Sequence, residues 1–141
     1  MEKLILLVAA SLASPCLFAA ACQVSQRDTS AQVPSVVLES CYEFTGMPAE
    51  AIDWSCSNES SQPLDSDKQK VATCKSDFKA TCSAGLTQES LANHRSTSEK
   101  ADTAPLTLPA GAKVITYYYV LENPQQAKVD CENAGGRWKD L

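Results

Sequence analysis

The sequence predicts a small α+β domain stapled by disulfides, with a three- to four-stranded, mainly antiparallel sheet and two short helices. Three observations lead there. Two segments alternate apolar and polar residues with the period of a strand, two others open on a proline and continue with helical spacing, and six cysteines follow an apolar leader.

The leader comes first. Met1-Glu2-Lys3 is a short charged start, Leu4 to Ala13 is an almost unbroken apolar run, and Ala19-Ala20-Ala21 supplies small residues ahead of a cleavage point. This is the pattern of a secretory signal peptide over residues 1–21, its apolar run about half the ~20 residues a spanning helix needs. The remainder holds eighteen Val, Ile and Leu and two Phe, below the ~20% level at which a charged chain starts to look disordered. An oily core of ordinary size is thereby excluded. Tyr42, Phe44, Trp54, Phe78, Tyr117, Tyr118, Tyr119 and Trp138 have to carry much of the burial. Disulfides among Cys22, Cys41, Cys56, Cys74, Cys82 and Cys131, each contributing ~2–4 kcal/mol in an oxidising space, supply the rest.

Cys22 directly follows Phe18-Ala19-Ala20-Ala21, a permissive lipobox, and the polar stretch that comes next, residues 22–35, has the composition of a tether between a lipid and a domain. Acylation of Cys22 and anchoring at the outer membrane is one reading. Cysteine parity supports the other, because six cysteines pair completely while acylation leaves an odd thiol. The domain itself is placed at 36–141.

Residues 36–44 alternate, with Val36, Leu38, Tyr42 and Phe44 on one face and Glu39 and Glu43 on the other, as in a half-buried strand. Thr45-Gly46-Met47-Pro48 breaks it, and a helix is expected over 48–56 with Ile52 and Cys56 stacked four apart. Two short strands follow at 70–74 and 78–82, with Ser76-Asp77 as their turn. A weakly patterned excursion at 85–111 contains His94, the sole histidine. Residues 113–122 are β-branched and aromatic throughout, apolar on both faces, and therefore belong to a central strand. Asn123 and Pro124 are N-cap and first residue of a second helix, 124–134, stopped by Gly135, after which Trp138 folds back as a lid. An aromatic strand followed by a proline-started helix with a cysteine near its end thus occurs twice, as Tyr42 to Cys56 and Tyr118 to Cys131. Either a duplication or two ordinary strand–helix units explains this. For the disulfides the expected pairing is Cys56–Cys74, Cys82–Cys131 and, when Cys22 is not acylated, Cys22–Cys41.

Catalytic chemistry finds little footing. No Cys-x-x-Cys offers a zinc or redox centre, and Asp65 and Asp67 lack the glycine and glutamate of a calcium loop. His94 stands in a polar segment, so no catalytic residue, metal or cofactor is expected. A net charge of −5 without a Lys/Arg run argues against nucleic acid and against anionic membranes, leaving a lipid anchor as the only membrane link. Tyr117 and Tyr119 share one face of their strand, and core packing is the first reading of that face; a binding surface for a glycan or protein partner is the second.

The islands Cys41-Tyr-Glu-Phe-Thr-Gly46, a helix ending in Cys56, the Cys74 and Cys82 pair, Tyr117 to Tyr119, and Cys131-Glu-Asn-Ala-Gly-Gly-Arg-Trp138 together resemble a group of small exported cysteine-rich bacterial proteins, lipoproteins among them, without an assigned activity. The resemblance implies a bacterial origin and an ordered core, and carries over no catalytic residue. The stretch from Leu86 to Pro105 departs from it. The expected function is a non-enzymatic envelope protein facing the periplasm or surface, a lipid-anchored binding or structural module presenting the 85–111 excursion or the tyrosine face, with a soluble periplasmic or secreted inhibitor of a lysozyme or protease as the alternative.

Overall fold

A computed structural model describes residues 20–27, 34–48, 50–56, 66–87 and 107–141. The leader to residue 19, the Trp54 side chain, Asp65, His94 and most of the 85–111 excursion lie outside the described residues. The chain forms β1 (Ala21–Gln26), β2 (Val37–Thr45), α1 (Glu50–Ser55), β3 (Ser66–Val71), β4 (Ala80–Gly85), β5 (Lys113–Leu121), α2 (Pro124–Asn133) and β6 (Arg137–Asp140). All six strands make one antiparallel sheet in the order β3-β1-β2-β5-β4-β6.

The expected α+β class holds, and the sheet is larger than expected. Residues 21–26, expected to be the last residue of the signal peptide and the start of a tether over 22–35, form an inner strand hydrogen-bonded on both sides, to β2 and to β3. Trp138 is no lid. It lies in edge strand β6, its ring 5.1 Å from that of Tyr118. The strands expected at 70–74 and 78–82 fall instead at 66–71 and 80–85, and no turn joins them as neighbours. Residues 72–79 run from one edge of the sheet to the strand next to the other edge, beyond three intervening strands.

The two occurrences of strand, helix and cysteine are halves of one repeated path. β1-β2-α1-β3 and β4-β5-α2-β6 each trace two antiparallel strands, a helix, and a third strand on the outer side of the first. One row of residues runs across the whole sheet as Trp138, Cys82, Thr116, Tyr42, Cys22 and Lys70, so Cys22 and Cys82 lie symmetrically about the central Tyr42/Thr116 pair. Each of these cysteines bonds to the end of its own helix, as Cys22–Cys56 and Cys82–Cys131. Side chains alternate across a strand, so both helices cover the same side of the sheet, here called the helical face.

Local chemistry explains the helices. Asn123 Oδ1 accepts from the Gln126 N–H at 3.0 Å, and Pro124 needs no donor in the first turn. Ala127 and Cys131 are the buried pair of α2, and Gly135, at φ 75°, ends it in the left-handed conformation. In α1, Ile52 and Cys56 are buried with Cys22 against Val24, Tyr42 and Phe44, and the Tyr42 hydroxyl meets Ser55 Oγ at 2.9 Å.

The third disulfide, Cys41–Cys74, is on the opposite side. It ties the 72–79 segment across the sheet, over a cluster of Ala21, Cys41 and Tyr119 flanked by Val71, Phe78 and Tyr117. This side is the crossing face. Of the expected pairings Cys82–Cys131 is present, while Cys56–Cys74 and Cys22–Cys41 are replaced, since Cys22 and Cys56 point to the helical face and Cys41 and Cys74 meet on the other. The expected acylation of Cys22 is corrected too, because a sulfur bonded to Cys56 carries no thioether and its side chain is fully buried.

Two outcomes follow from this packing. On reduction, the intact mass of the protein purified from an oxidising compartment should rise by two hydrogens for each of three disulfides, with no acyl mass. The processed chain should begin at or before Ala21, which is buried against Cys41 and Tyr119. A diacylglyceryl adduct on the Cys22 peptide would overturn this arrangement. Gly136 packs on the Cys82–Cys131 bond, where a Cβ would fall 2.7 Å from Cys82 Sγ and 2.8 Å from Cys131 Sγ. Gly136→Ala should therefore lower stability by about 1–3 kcal/mol in denaturant unfolding, the usual cost of overpacking.

Candidate functional site

The helical face and the crossing face are covered to different extents. On the crossing face, the 72–79 segment occupies the middle of the sheet. Cys74 N–H donates to Glu43 Oε1 at 2.9 Å, the Tyr119 hydroxyl donates to the Lys75 carbonyl at 2.9 Å, and Phe78 meets Tyr117 edge-on at 5.0 Å.

These contacts use up the expected tyrosine surface. Tyr119 is 7% exposed, and Tyr117 is half-buried with its hydroxyl donating to Glu43 Oε2 at 3.4 Å. Tyr117 and Tyr119 do share a face, as the alternation requires, but that face is sealed by the segment tied down through Cys74. They are core residues and not an open aromatic patch.

Beyond Phe78, toward β6, no described residue covers the same face. Register fixes what it displays. Lys113 pairs with Gly85, Ile115 with Ser83, and Tyr117 with Thr81; on the outer side, Ser83 pairs with Arg137 and Thr81 with Lys139. Residues paired across neighbouring strands point to the same side, so Lys113, Arg137 and Lys139 stand around Ile115, Ser83 and Thr81. The three cations are exposed, and the three residues between them are half-buried. Arg137 and Lys139 are one strand repeat apart, about 6.5–7 Å, and Lys113 lies two strands across and one repeat along from Arg137, roughly 12 Å away.

Among the described residues no acid neutralises this group. None of the three cations has an ion-pair partner among the described residues, and the ion pair present, Lys70–Asp53 at 2.8 Å, is at the other edge. Glu43, opposite Ile115, spends both carboxylate oxygens on Cys74 and Tyr117. Asp140 belongs to the helical face and accepts from Trp138 Nε1 at 2.7 Å. Sequence reasoning missed this group because Lys113 is more than twenty residues from Arg137 and no basic run exists. Arg137-x-Lys139 was the only trace, and it required recognising β6 as a strand.

The four described tyrosines all resist ionisation. Burial pushes the Tyr42 hydroxyl up against the opposing bond to Ser55, and burial then Glu43 raise Tyr117. Burial and the Asp130 charge raise Tyr118, while burial, partly offset by the bond to Lys75 and helped by Asp77, Glu43 and Glu39, raises Tyr119. Among the described residues no group of three His, Cys, Asp or Glu is arranged to hold a metal ion. What this surface is built to offer is hydrogen-bond donors and positive charge on a rigid sheet.

The tyrosine shifts make a pH prediction. A folded-state value raised above the ordinary 10.0 means that the native state retains protons the unfolded chain releases. This stability is fully present below pH 10.0 and is lost as pH climbs through the raised values. Unfolding monitored with tyrosinate absorbance should show alkaline loss of structure and tyrosine ionisation together. Four tyrosines titrating freely at the ordinary value in the folded protein would contradict their burial.

No family model matches this chain, and neither does a curated protein or a solved structure.

Proposed function

We propose that this is an exported, non-enzymatic binding module whose contact surface is the uncovered half of the crossing face. Three disulfides are the chemistry of an oxidising compartment outside the cytoplasm, and among the described residues no helix is long and apolar enough to cross a membrane. The observation that carries the reading is unequal cover. One side of the sheet holds both helices, and among the described residues the other is closed by the stapled 72–79 segment, which meets β4 and β6 only at the Ala80 end and leaves exposed cations over the rest. Preorganised surfaces of this kind bind at a reduced ordering cost.

The inhibitor alternative would need a presented loop, and the 72–79 segment is the stapled candidate. Its Lys75 carbonyl is turned inward onto the Tyr119 hydroxyl, away from the direction in which a protease would have to polarise it. The sheet face is therefore favoured over the loop as the contact surface.

The test is photo-cross-linking in the producing cell from a benzophenone amino acid placed at Ser83, beside the same probe at Val129 on α2. A discrete adduct from Ser83 and none from Val129 is expected. Equal adducts from both positions, or none from Ser83, would refute a binding role for this face.

A further inference from the structure

We infer that the cationic half-face formed by Lys113, Arg137 and Lys139 docks an acidic, extended protein segment; this rests on the binding reading above and names its partner. The chain as a whole is acidic, with 17 Asp and Glu against 12 Lys and Arg. Its described surface nevertheless gathers three exposed cations on the two strands that flank β4, whose Ser83 and Thr81 hydroxyls lie between those strands, with no acid spent on them among the described residues. Charge complementarity selects an anionic partner.

Geometry and net charge select among anions. Side chains on one face of an extended segment recur every 6.5–7 Å or so, the repeat that separates Arg137 from Lys139. Acidic residues at alternate positions of such a segment therefore meet both cations, with the Ser83 and Thr81 hydroxyls as neutral donors between them and Ile115 as the apolar floor. The Arg137 guanidinium offers a fork to a carboxylate, and Lys139 and Lys113 act as point charges. An extended polyanion or an anionic membrane would instead be brought against the remaining acids of a chain with net charge −5, and long-range repulsion opposes it. A short peptide touches the patch alone.

The experiment uses the disulfide-intact exported protein and a fluorescent peptide of alternating Glu and Ser, with Gln-Ser and Lys-Ser peptides as controls and mixed phosphatidylglycerol–phosphatidylcholine vesicles as a separate arm. Binding is read by anisotropy, and its location by amide shifts in NMR spectra. The expected result is salt-sensitive binding of the Glu-Ser peptide alone, shifts confined to 81–85, 113–117 and 137–139, and at least a roughly tenfold loss in Arg137→Glu/Lys139→Glu. Lys68→Glu, at the other edge, should bind as the parent does. Retained disulfides and unchanged amide spectra elsewhere exclude misfolding of the double variant, and Lys113→Gln gives a milder second variant expected to weaken binding about threefold. Peptide binding indifferent to salt or to these substitutions, no peptide binding, or tighter binding to vesicles through the same residues would overturn the inference. Should the Ser83 cross-link persist in Arg137→Glu/Lys139→Glu, the binding reading survives and the acidic partner does not.

Discussion

A sulfur–sulfur bond from the end of a helix to the strand beneath it is what each half of this domain depends on. Helix α1 has six residues, well short of the ~12–15 at which an isolated helix becomes even marginal in water. Its described buried anchors are Ala51, Ile52 and Cys56. The buried hydrophobic set is made largely of Ala and Cys, and the largest fully buried side chains are Cys22 and Cys41. Sulfur here fills the place that Leu or Phe fills in an ordinary core. The three bonds close loops of 34, 33 and 49 residues. Chain entropy grows only with the logarithm of loop length, so each is worth about 4 kcal/mol by that measure. Loop length does not distinguish them; position does.

Position distinguishes the third bond above all. About the Tyr42/Thr116 centre, the counterpart of Cys41 on β5 is Ile115, which has no sulfur to give. Cys41–Cys74 thus has no equivalent in the second half. The link between the halves had to pass over the sheet, and Cys41 tied it down on its own half, leaving the face around Ile115 half-exposed. The candidate surface is where the second half of a repeated path lacks the cover that the first half acquired. Unequal faces on an otherwise symmetric framework need no further cause.

How much of this was legible follows from which residues did the burying. β2, β5 and α2 were plain because Tyr, Phe, Val and Ile alternate in the strands and Asn123-Pro124 and Gly135 bracket the helix. β1 was hidden. Cys22 and Val24 are its residues on the helical face and Gln23 and Ser25 face the other side, so burial by a disulfide leaves a composition indistinguishable from a linker. β4 was displaced because Ala80, Cys82 and Ala84 are small residues that fit beneath α2 and its sulfur, lacking the branched side chains that mark a strand. Cys82–Cys131 was found, and the other two pairings were not, since with β1 read as a tether the face on which Cys22 emerges is undefined. Alternation puts the tyrosine pair on its true face, but the segment that covers it is invisible to a pattern that reads residues 70–82 as two short strands joined by a turn. The cationic group exists only in the order β5-β4-β6, which no local pattern encodes.

The edges of the sheet supply the last step. A path whose third strand always lies outside the first puts β3 and β6 at the two rims, and unpaired rims invite association with other strands unless charge discourages it. Both rims are charged, as Ser66-Asp-Lys-Gln-Lys-Val71 and Arg137-Trp-Lys-Asp140. Protection alone would account for either. The difference lies in where the cations point. On β3, Lys68 and Lys70 face the helical side, where Lys68 Nζ donates to the Ser55 carbonyl at 3.1 Å and Lys70 pairs with Asp53. On β6 the register is equivalent but the cations take the alternate positions, with Trp138 in the place of Lys70 on the helical side and Arg137 and Lys139 on the open one. The first rim spends its cations on its own helix. The second, built on the same plan, holds its cations out over an uncovered floor, so a device that keeps strands apart becomes, on that side, a surface able to select what may approach.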